Sequence, residues 1–116
     1  MTFSFTTSQQ GGITIFKLEG EIIDKNQTTG LIEQIDKVIA SGKKHIVLEL
    51  AGLKYMNSSG LNVLVNILTK ARNVGGDVSV CNISAKVKDL LVVTKLDTIF
   101  HIVSSVEEAI ERLKSE

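Results

Sequence analysis

One stretch, from Ile46 to Leu61, constrains the fold of this chain more than any other. It begins with Ile46-Val47-Leu48-Glu49-Leu50, which is apolar and β-branched enough for an inner strand of a sheet. Apolar residues then recur at the spacing of a helix, at Leu61, Leu64, Val65, Leu68 and Ala71. An inner strand followed by a long amphipathic helix predicts an α/β domain whose core contains both elements.

The turn between this strand and helix carries two serines. The residues Asn57-Ser58-Ser59-Gly60 are typical of turns and helix caps. If Ser58 caps the helix or stands directly before it, its hydroxyl lies near backbone N–H groups that have no partner within the helix. Such a helix end is a favourable place for a phosphate group.

The first 20 residues predict a β-hairpin. Phe3 and Phe5 alternate with polar residues, and a second alternating segment runs from Ile13 to Leu18. Gly11-Gly12 between them favours a tight turn. Gly20 is expected to end the second strand.

A helix is expected next, because Asp24 and Gln27 have the spacing of a capping box. Gly42 is a suitable end for it. One apolar stripe lies between these signals, at Leu31, Ile35, Val38 and Ile39.

After the central helix, which is expected to end near Asn73, strands and helices alternate. Strands are predicted over 77–82 and 99–103, with a helix between them that Ser84 caps and a last helix that begins at Ser105. Alternation implies parallel strands with right-handed crossovers. We therefore expect one α/β domain over residues 1–116, with a mixed β-sheet, an N-terminal antiparallel hairpin and about four helices.

Composition and charge disfavour several classes of partner. Thirteen basic and thirteen acidic residues cancel, so no overall field attracts nucleic acid or an anionic membrane. No segment approaches the roughly 20 apolar residues that cross a bilayer, and the N-terminus lacks the pattern of a signal peptide. The lone cysteine, Cys81, cannot form an internal disulfide and is expected to be buried. These features predict a cytoplasmic protein.

The residues do not favour catalysis or a metal site. A serine nucleophile needs a base within hydrogen-bond reach, and only His45 and His101 are available. The flanks of Ser58 also lack the glycines of a nucleophile elbow. One cysteine and two distant histidines make no convincing set of metal ligands, and no phosphate-binding glycine pattern is present. We expect a protein that is not an enzyme and has no cofactor.

Two segments resemble the STAS domain family, and most closely the bacterial anti-sigma factor antagonists. The first, from Ile46 to Leu61, is similar to the family's strand that leads into an Asp-Ser-Ser/Thr-Gly-Leu loop. The second, from Val87 to Phe100, is similar to the family's late helix and strand and is followed by Val106-Glu107-Glu108-Ala109. The likeness covers nearly the whole chain. It implies a mixed sheet with helices packed mostly on one side.

In this family the first serine of the loop is phosphorylated by a partner that is both an anti-sigma factor and a serine kinase. The resemblance assigns this role to Ser58. It implies that the unphosphorylated domain binds the kinase and frees a sigma factor, that phosphorylation ends the binding, and that a PP2C-type phosphatase restores it. The expected partner-binding residues are Asn57, Ser59, Gly60, Leu61, Asn62 and Asp24.

The chain departs from the family pattern at two of these positions. Asn57 stands where the family usually has Asp, which keeps a turn-forming side chain but removes a negative charge. Asp24 comes one position later than the aspartate that antagonists often carry near the first helix.

Three other interpretations stay open at this point. Ser58 and Ser59 are also suitable as plain helix caps. A STAS module that is never phosphorylated, and serves only as a scaffold, fits the same sequence, as does, less well, a hydrolase that uses Ser58 or Ser59. The polar residues of the central helix form either a docking face or its solvated side; they are Asn62, Asn66, Lys70 and Asn73.

Overall fold

A five-stranded mixed sheet organises the computed structural model, which describes residues 2–114. The strands are Phe3–Gln10 (β1), Ile13–Ile22 (β2), His45–Met56 (β3), Asp77–Cys81 (β4) and His101–Val103 (β5). The α-helices are Thr29–Ala40 (α1), Ser58–Asn73 (α2), Ala85–Val93 (α3) and Val106–Lys114 (α4), and Lys25–Thr28 and Leu96–Thr98 form short 3₁₀ helices. Spatial order follows chain order; β1 and β2 pair antiparallel and the other neighbours pair parallel.

Helices cover both faces of this sheet. The larger core lies on the face that carries Phe16, Leu48 and Val80, where α1, α2 and α3 pack. The smaller core lies on the opposite face, where α4 covers Ile15, Val47 and Cys81 with Ala109, Ile110 and Leu113. The predicted α/β fold is confirmed, including its hairpin and its helices mostly on one side.

The N-terminal hairpin forms as predicted, but β2 does not end at Gly20. Gly11 and Gly12 have φ values of +59° and +83°, as the turn of a two-residue hairpin requires. At Gly20 the chain has φ of +95°, and a Cβ there would meet the carbonyl oxygen of Thr2 at 2.0 Å. The register of β2 against β3 shifts at this glycine, and the strand continues to Ile22. The extra residue of this shift is Lys54 of β3, so the irregularity lies in β3, and Gly20 stands beside it where β2 passes close to the backbone of Thr2.

Other strand boundaries also differ from the predictions, and β4 ends at Cys81 rather than at Asn82. The inner strand runs to Met56 rather than Leu50, because its second half pairs with the end of β2 and buries Leu53 and Met56. The last strand begins at His101 rather than at 99, because a 3₁₀ turn and Ile99 precede it.

The predicted helix starts are largely confirmed. Asp24 and Gln27 form a capping box, which opens the 3₁₀ turn that leads into α1. The hydroxyl of Ser84 accepts a hydrogen bond from the N–H of Val87 at 3.2 Å, and that of Ser105 accepts one from the N–H of Glu108 at 3.1 Å. No helix within 2–114 is both long and apolar enough to span a membrane.

Candidate functional site

Ser58 is the first residue of α2, and Asn57 rather than Ser58 is its cap. The Oδ1 atom of Asn57 accepts a hydrogen bond from the N–H of Ser59 at 2.9 Å. The side chain of Ser58 is exposed, and its hydroxyl has no hydrogen-bond partner among residues 2–114. The interpretation of the two serines as helix caps is therefore wrong, because an asparagine already has that role. The hydroxyl of Ser58 is accessible to a partner from solvent.

Asn57 also ties the turn to the neighbouring strand. Its Nδ2 atom donates to the carbonyl oxygen of Ile23 at 3.0 Å, and its backbone N–H donates to that of Ile22 at 3.2 Å. Only one orientation of the amide places its oxygen on the Ser59 N–H and its nitrogen on a carbonyl. An aspartate would keep the cap and lose the donor to Ile23. The sequence showed that a charge was missing here but not that an amide N–H was used.

Asp24 lies in the turn that this amide contacts. Its Oδ1 atom accepts from the N–H of Asn26 at 2.9 Å, while the side-chain oxygen of Gln27 accepts from the N–H groups of Ile23 and Asp24 at 2.9 and 3.0 Å. Because Ile23 bonds to Asn57, the two turns stand side by side at the same edge of the sheet. Asp24 is exposed and has a capping role in its own turn.

Gly60 and Leu61 position the loop by packing against the end of β3 and the larger core. A Cβ on Gly60 would lie 2.5 Å from the Cβ of Met56, so only glycine lets α2 begin so close to the end of β3. Leu61 is 6 % exposed and packs in the larger core. Asn62, in contrast, is exposed on the surface of α2.

Two grooves flank Ser58. The α1–α2 groove is lined by Lys25, Asn26, Ile32, Glu33, Ser59 and Asn62, among others. The α3 groove is lined by Tyr55, Asn57, Lys86, Asp89, Leu90 and Val93, among others. Asn57 lines one groove and Ser59 the other, so Ser58 lies between the two lining residues in the chain.

Apolar side chains are exposed around Asn57. Val93 in the α3 groove is 79 % exposed, and Tyr55 in the same groove is 44 % exposed. Ile23, whose carbonyl binds Asn57, is 45 % exposed. Sequence patterns gave no sign of this surface, because its members come from three separate elements.

Some polar residues of α2 contact other parts of the chain, and others are exposed. Asn66 joins Asn62 in the lining of the α1–α2 groove. Lys70 forms an ion pair with Asp36 of α1 at 2.9 Å, and Asn73 is exposed at the end of the helix. The face beside Ser58 therefore consists mainly of asparagines.

Both histidines lie far along the sheet from Ser58. His45 opens β3, whereas Ser58 follows its end. The Nε2 atom of His101 lies 2.8 Å from Oδ2 of Asp77, whose other oxygen accepts from Arg72 Nε at 3.3 Å and from the N–H of Val78 at 2.8 Å. Sequence reasoning missed this cluster, since His101 is 24 residues from Asp77 along the chain. Across residues 2–114, no group of three or more His, Cys, Asp or Glu side chains is arranged to hold a metal.

Cys81 is buried, as predicted, under α4. Burial is the main cause that raises the pKa of its thiol to about 12, and the carboxylates of Glu49 and Glu107 contribute to the increase. A thiol of that pKa is protonated at neutral pH and unsuited to nucleophilic chemistry.

The sequence model of the STAS domain family matches residues 4–109 of this chain. The chain belongs to the STAS domain family. The membership that the Ile46–Leu61 segment predicts is thus confirmed.

Individual STAS proteins match over nearly the full length. An anti-sigma F factor antagonist of Paenibacillus polymyxa is 30% identical over 115 residues, which are 98% of this chain and 97% of the relative. The solved structure of TM1081 from Thermotoga maritima has a TM-score of 0.84 at 26% identity and covers 95% of this chain and 94% of its own. The unphosphorylated form of the anti-sigma factor antagonist SpoIIAA has a TM-score of 0.81 at 22% identity, with 97% and 98% covered. At that identity the likeness to SpoIIAA shows the shared fold alone.

Proposed function

We propose that this STAS domain is an anti-sigma factor antagonist, which binds an anti-sigma factor with serine kinase activity and releases it when Ser58 is phosphorylated. Binding frees the sigma factor, and a PP2C-type phosphatase resets the switch. The observation that carries the proposal is the exposed hydroxyl of Ser58, the first residue of α2, which has no hydrogen-bond partner within residues 2–114 while Asn57 caps the helix. In this proposal residues 1–116 act as one domain in the bacterial cytoplasm, without a cofactor, a nucleic acid or a membrane as partner.

The position of Ser58 accommodates a phosphate without unfolding the domain. A phosphoserine adds about −1.5 to −2 charge. The first turn of α2 contains no acidic residue, and the positive end of the helix dipole favours an anion there. We therefore expect the phosphorylated and unphosphorylated domains to have the same fold.

The same phosphate is unfavourable in an interface. The partner is expected to cover the turn together with the exposed Tyr55 and Val93 on one side and Asn62 on the other. Burying a doubly charged group without paired cations costs several kcal/mol, and each 1.4 kcal/mol is about tenfold in affinity. Phosphorylation thus ends the binding by charge alone, with no large conformational change.

Incubation with the cognate kinase and ATP, followed by intact-mass measurement, tests the phosphorylation. Wild type and Ser59→Ala are expected to gain one phosphate, and Ser58→Ala none. Ser59 is the matched control, since it is the adjacent serine and is half-buried. A phosphate on the Ser58→Ala variant would contradict the assignment.

Calorimetric titration of the anti-sigma factor tests the switch. Ser58→Ala is expected to bind like the wild type and Ser58→Glu more weakly. Equal affinity for all three would instead favour the alternative, a STAS scaffold that is not regulated by phosphorylation. The exposed apolar surface around Ile23, Tyr55 and Val93 supports a protein interface in either case.

A further inference from the structure

Strand β1 presents an open edge of the sheet. It is the first strand in the spatial order, and all eight of its residues pair with β2 on one side, from Phe3 opposite Gly20 to Gln10 opposite Ile13. No other strand of the described chain pairs with its outer side. The opposite edge of the sheet, β5, has only three residues.

This edge lacks the features that usually protect outer strands from pairing with another chain. Natural edges carry charged residues, proline or a bulge, or they are very short. From Thr2 to Gln10 the sequence contains no charged residue and no proline. The register of β1 on β2 is continuous over the eight pairs.

The hairpin turn determines which backbone groups of β1 face outward. In a two-residue hairpin the flanking residues, here Gln10 and Ile13, exchange both hydrogen bonds, and bonded pairs then alternate along the ladder. The N–H and C=O groups of Ser4, Thr6 and Ser8 therefore point to β2. Those of the alternate residues point away from the sheet; these residues are Phe3, Phe5, Thr7 and Gln9.

The side chains of β1 favour an identical strand as the occupant of this edge. Phe3 and Phe5 are only half-buried, with ring centroids 6.4 Å apart, and Phe5 lies 6.2 Å from Phe16 of the core. When two antiparallel strands are related by a two-fold axis normal to the sheet, the same face of both copies lies on the same side of the joined sheet. Each copy would then cover the exposed parts of the other's Phe3 and Phe5. β1 itself carries no charged residue, so no like charges within the paired strands would oppose each other. The ammonium of Lys43 donates to Oε1 of Gln9 near the end of the edge.

We propose that β1 pairs antiparallel with β1 of a second copy of this chain, so that two five-stranded sheets form one continuous sheet. A two-fold pair of identical strands is self-complementary, since the same donors and acceptors serve both copies. The Ser58 turn follows β3, which is separated from this edge by β2. The dimer therefore leaves both Ser58 hydroxyls accessible, and it would present two partner sites in one particle.

Sedimentation equilibrium of the full chain, from micromolar to millimolar concentration, tests the pairing. Thr7→Pro removes an outward N–H, and proline is tolerated on the open side of an edge strand. Thr7→Ala keeps that N–H and is the matched control. We expect wild type and Thr7→Ala to form a dimer, and Thr7→Pro to raise the dimer dissociation constant by about tenfold or more, because each dimer loses two hydrogen bonds. A wild type that stays monomeric over the range overturns the proposal, as does a Thr7→Pro variant that is folded by circular dichroism and dimerises like the wild type.

Amide hydrogen exchange gives a second measurement that needs no substitution. As the wild-type concentration rises, exchange at Phe5, Thr7 and Gln9 is expected to slow, while exchange at Thr6 and Ser8 stays constant. Equal behaviour of the two sets would overturn the pairing through β1. Since neither measurement involves the anti-sigma factor, failure here leaves the proposed function unaffected.

Discussion

The side-chain amide of Asn57 donates to the carbonyl oxygen of Ile23 at 3.0 Å and thereby joins the turn before α2 to the end of β2. The oxygen of the same amide caps α2 through the N–H of Ser59. One side chain thus fixes the turn that carries Ser58 through two hydrogen bonds. The two bonds can be separated by substitution.

We expect Asn57→Ser to lower the free energy of unfolding by about 1 kcal/mol, because serine keeps a cap acceptor but loses the donor to Ile23. Asn57→Ala should cost about 2 kcal/mol, since it removes both bonds. Urea unfolding measures the difference. Equal losses in the two variants would show that the cap bond to the Ser59 N–H contributes nothing, and a serine variant as stable as the wild type would show the same for the bond to Ile23.

Gly60 is predicted to be intolerant of even one methyl group. Alanine usually stabilises a helix relative to glycine, but the new Cβ would lie 2.5 Å from the Cβ of Met56. We expect Gly60→Ala to lower the free energy of unfolding by about 1–3 kcal/mol, which is typical of overpacking. Gly30→Ala in α1 is the control, because its Cβ would meet only Phe5 Cε1 at 3.8 Å. In urea unfolding that variant should be as stable as the wild type or more so, and a similar loss in both would argue against the clash.

Asp77 is expected to be more sensitive to the loss of its charge than Asp36 of α1. It is 8 % exposed, and its carboxylate contacts His101, Arg72 and the N–H of Val78. Asp77→Asn should cost about 2 kcal/mol of stability, because the buried hydrogen bonds to a charged acceptor are weakened. Asp36→Asn breaks an ion pair with Lys70 on the surface, and its cost should be under about 1 kcal/mol. Chemical denaturation of both variants checks the order, which a larger loss for Asp36→Asn would contradict.

Local features of this fold could be predicted from sequence, because turn and cap chemistry depends on neighbours in the chain. Gly11-Gly12, the box at Asp24 and the cap at Ser84 are of this kind. The continuation of β2 past Gly20 could not, since it depends on the close approach of Thr2 and on the register shift against β3. Two short polar residues, Asn57 and Ser58, were both suitable as caps, and only the distant carbonyl of Ile23 favours the asparagine.

In the candidate site, too, the features set by neighbours in the chain could be predicted and those set by tertiary contacts could not. Ser58 was recognisable because its strand, turn and helix are contiguous. The grooves beside it were not, because Tyr55 and Val93 meet only when α3 packs next to the end of β3. The Asp77–His101 pair likewise needs β4 and β5 to be neighbours.

Cys81 should make stability depend on pH in the alkaline range. The pKa of its thiol is raised to about 12 in the fold from an ordinary value of 9.0, mainly by burial. The folded state therefore holds this proton more tightly than the unfolded state, and its contribution to stability is lost as pH rises from about 9 towards 12. Cys81→Ala should remove that part of the pH dependence. The difference in unfolding free energy between the two proteins across this range is the measurement, and a constant difference would contradict the assignment.

The same burial should protect the thiol from alkylation. At pH 8 the native protein is expected to resist iodoacetamide, whereas protein unfolded in urea should gain one adduct by mass, since the thiolate is the reactive form. Rapid labelling of the native protein would show that α4 opens readily from the sheet.

Val93 is expected to contribute to partner binding and not to stability. Its side chain is 79 % exposed at the end of α3, in the groove that Asn57 and Tyr55 also line. An aspartate there should lower the free energy of unfolding by no more than about 1 kcal/mol, because the position is exposed and the negative end of the helix dipole disfavours an acidic side chain. In the interface that we propose, the buried charge should weaken binding of the anti-sigma factor at least about tenfold. Val74→Asp is the control, since Val74 is 47 % exposed at the opposite end of α2 from Ser58 and should bind like the wild type. If Val93→Asp binds with unchanged affinity in calorimetric titration, the partner does not use the α3 groove, and its contacts must lie on the side of Asn62.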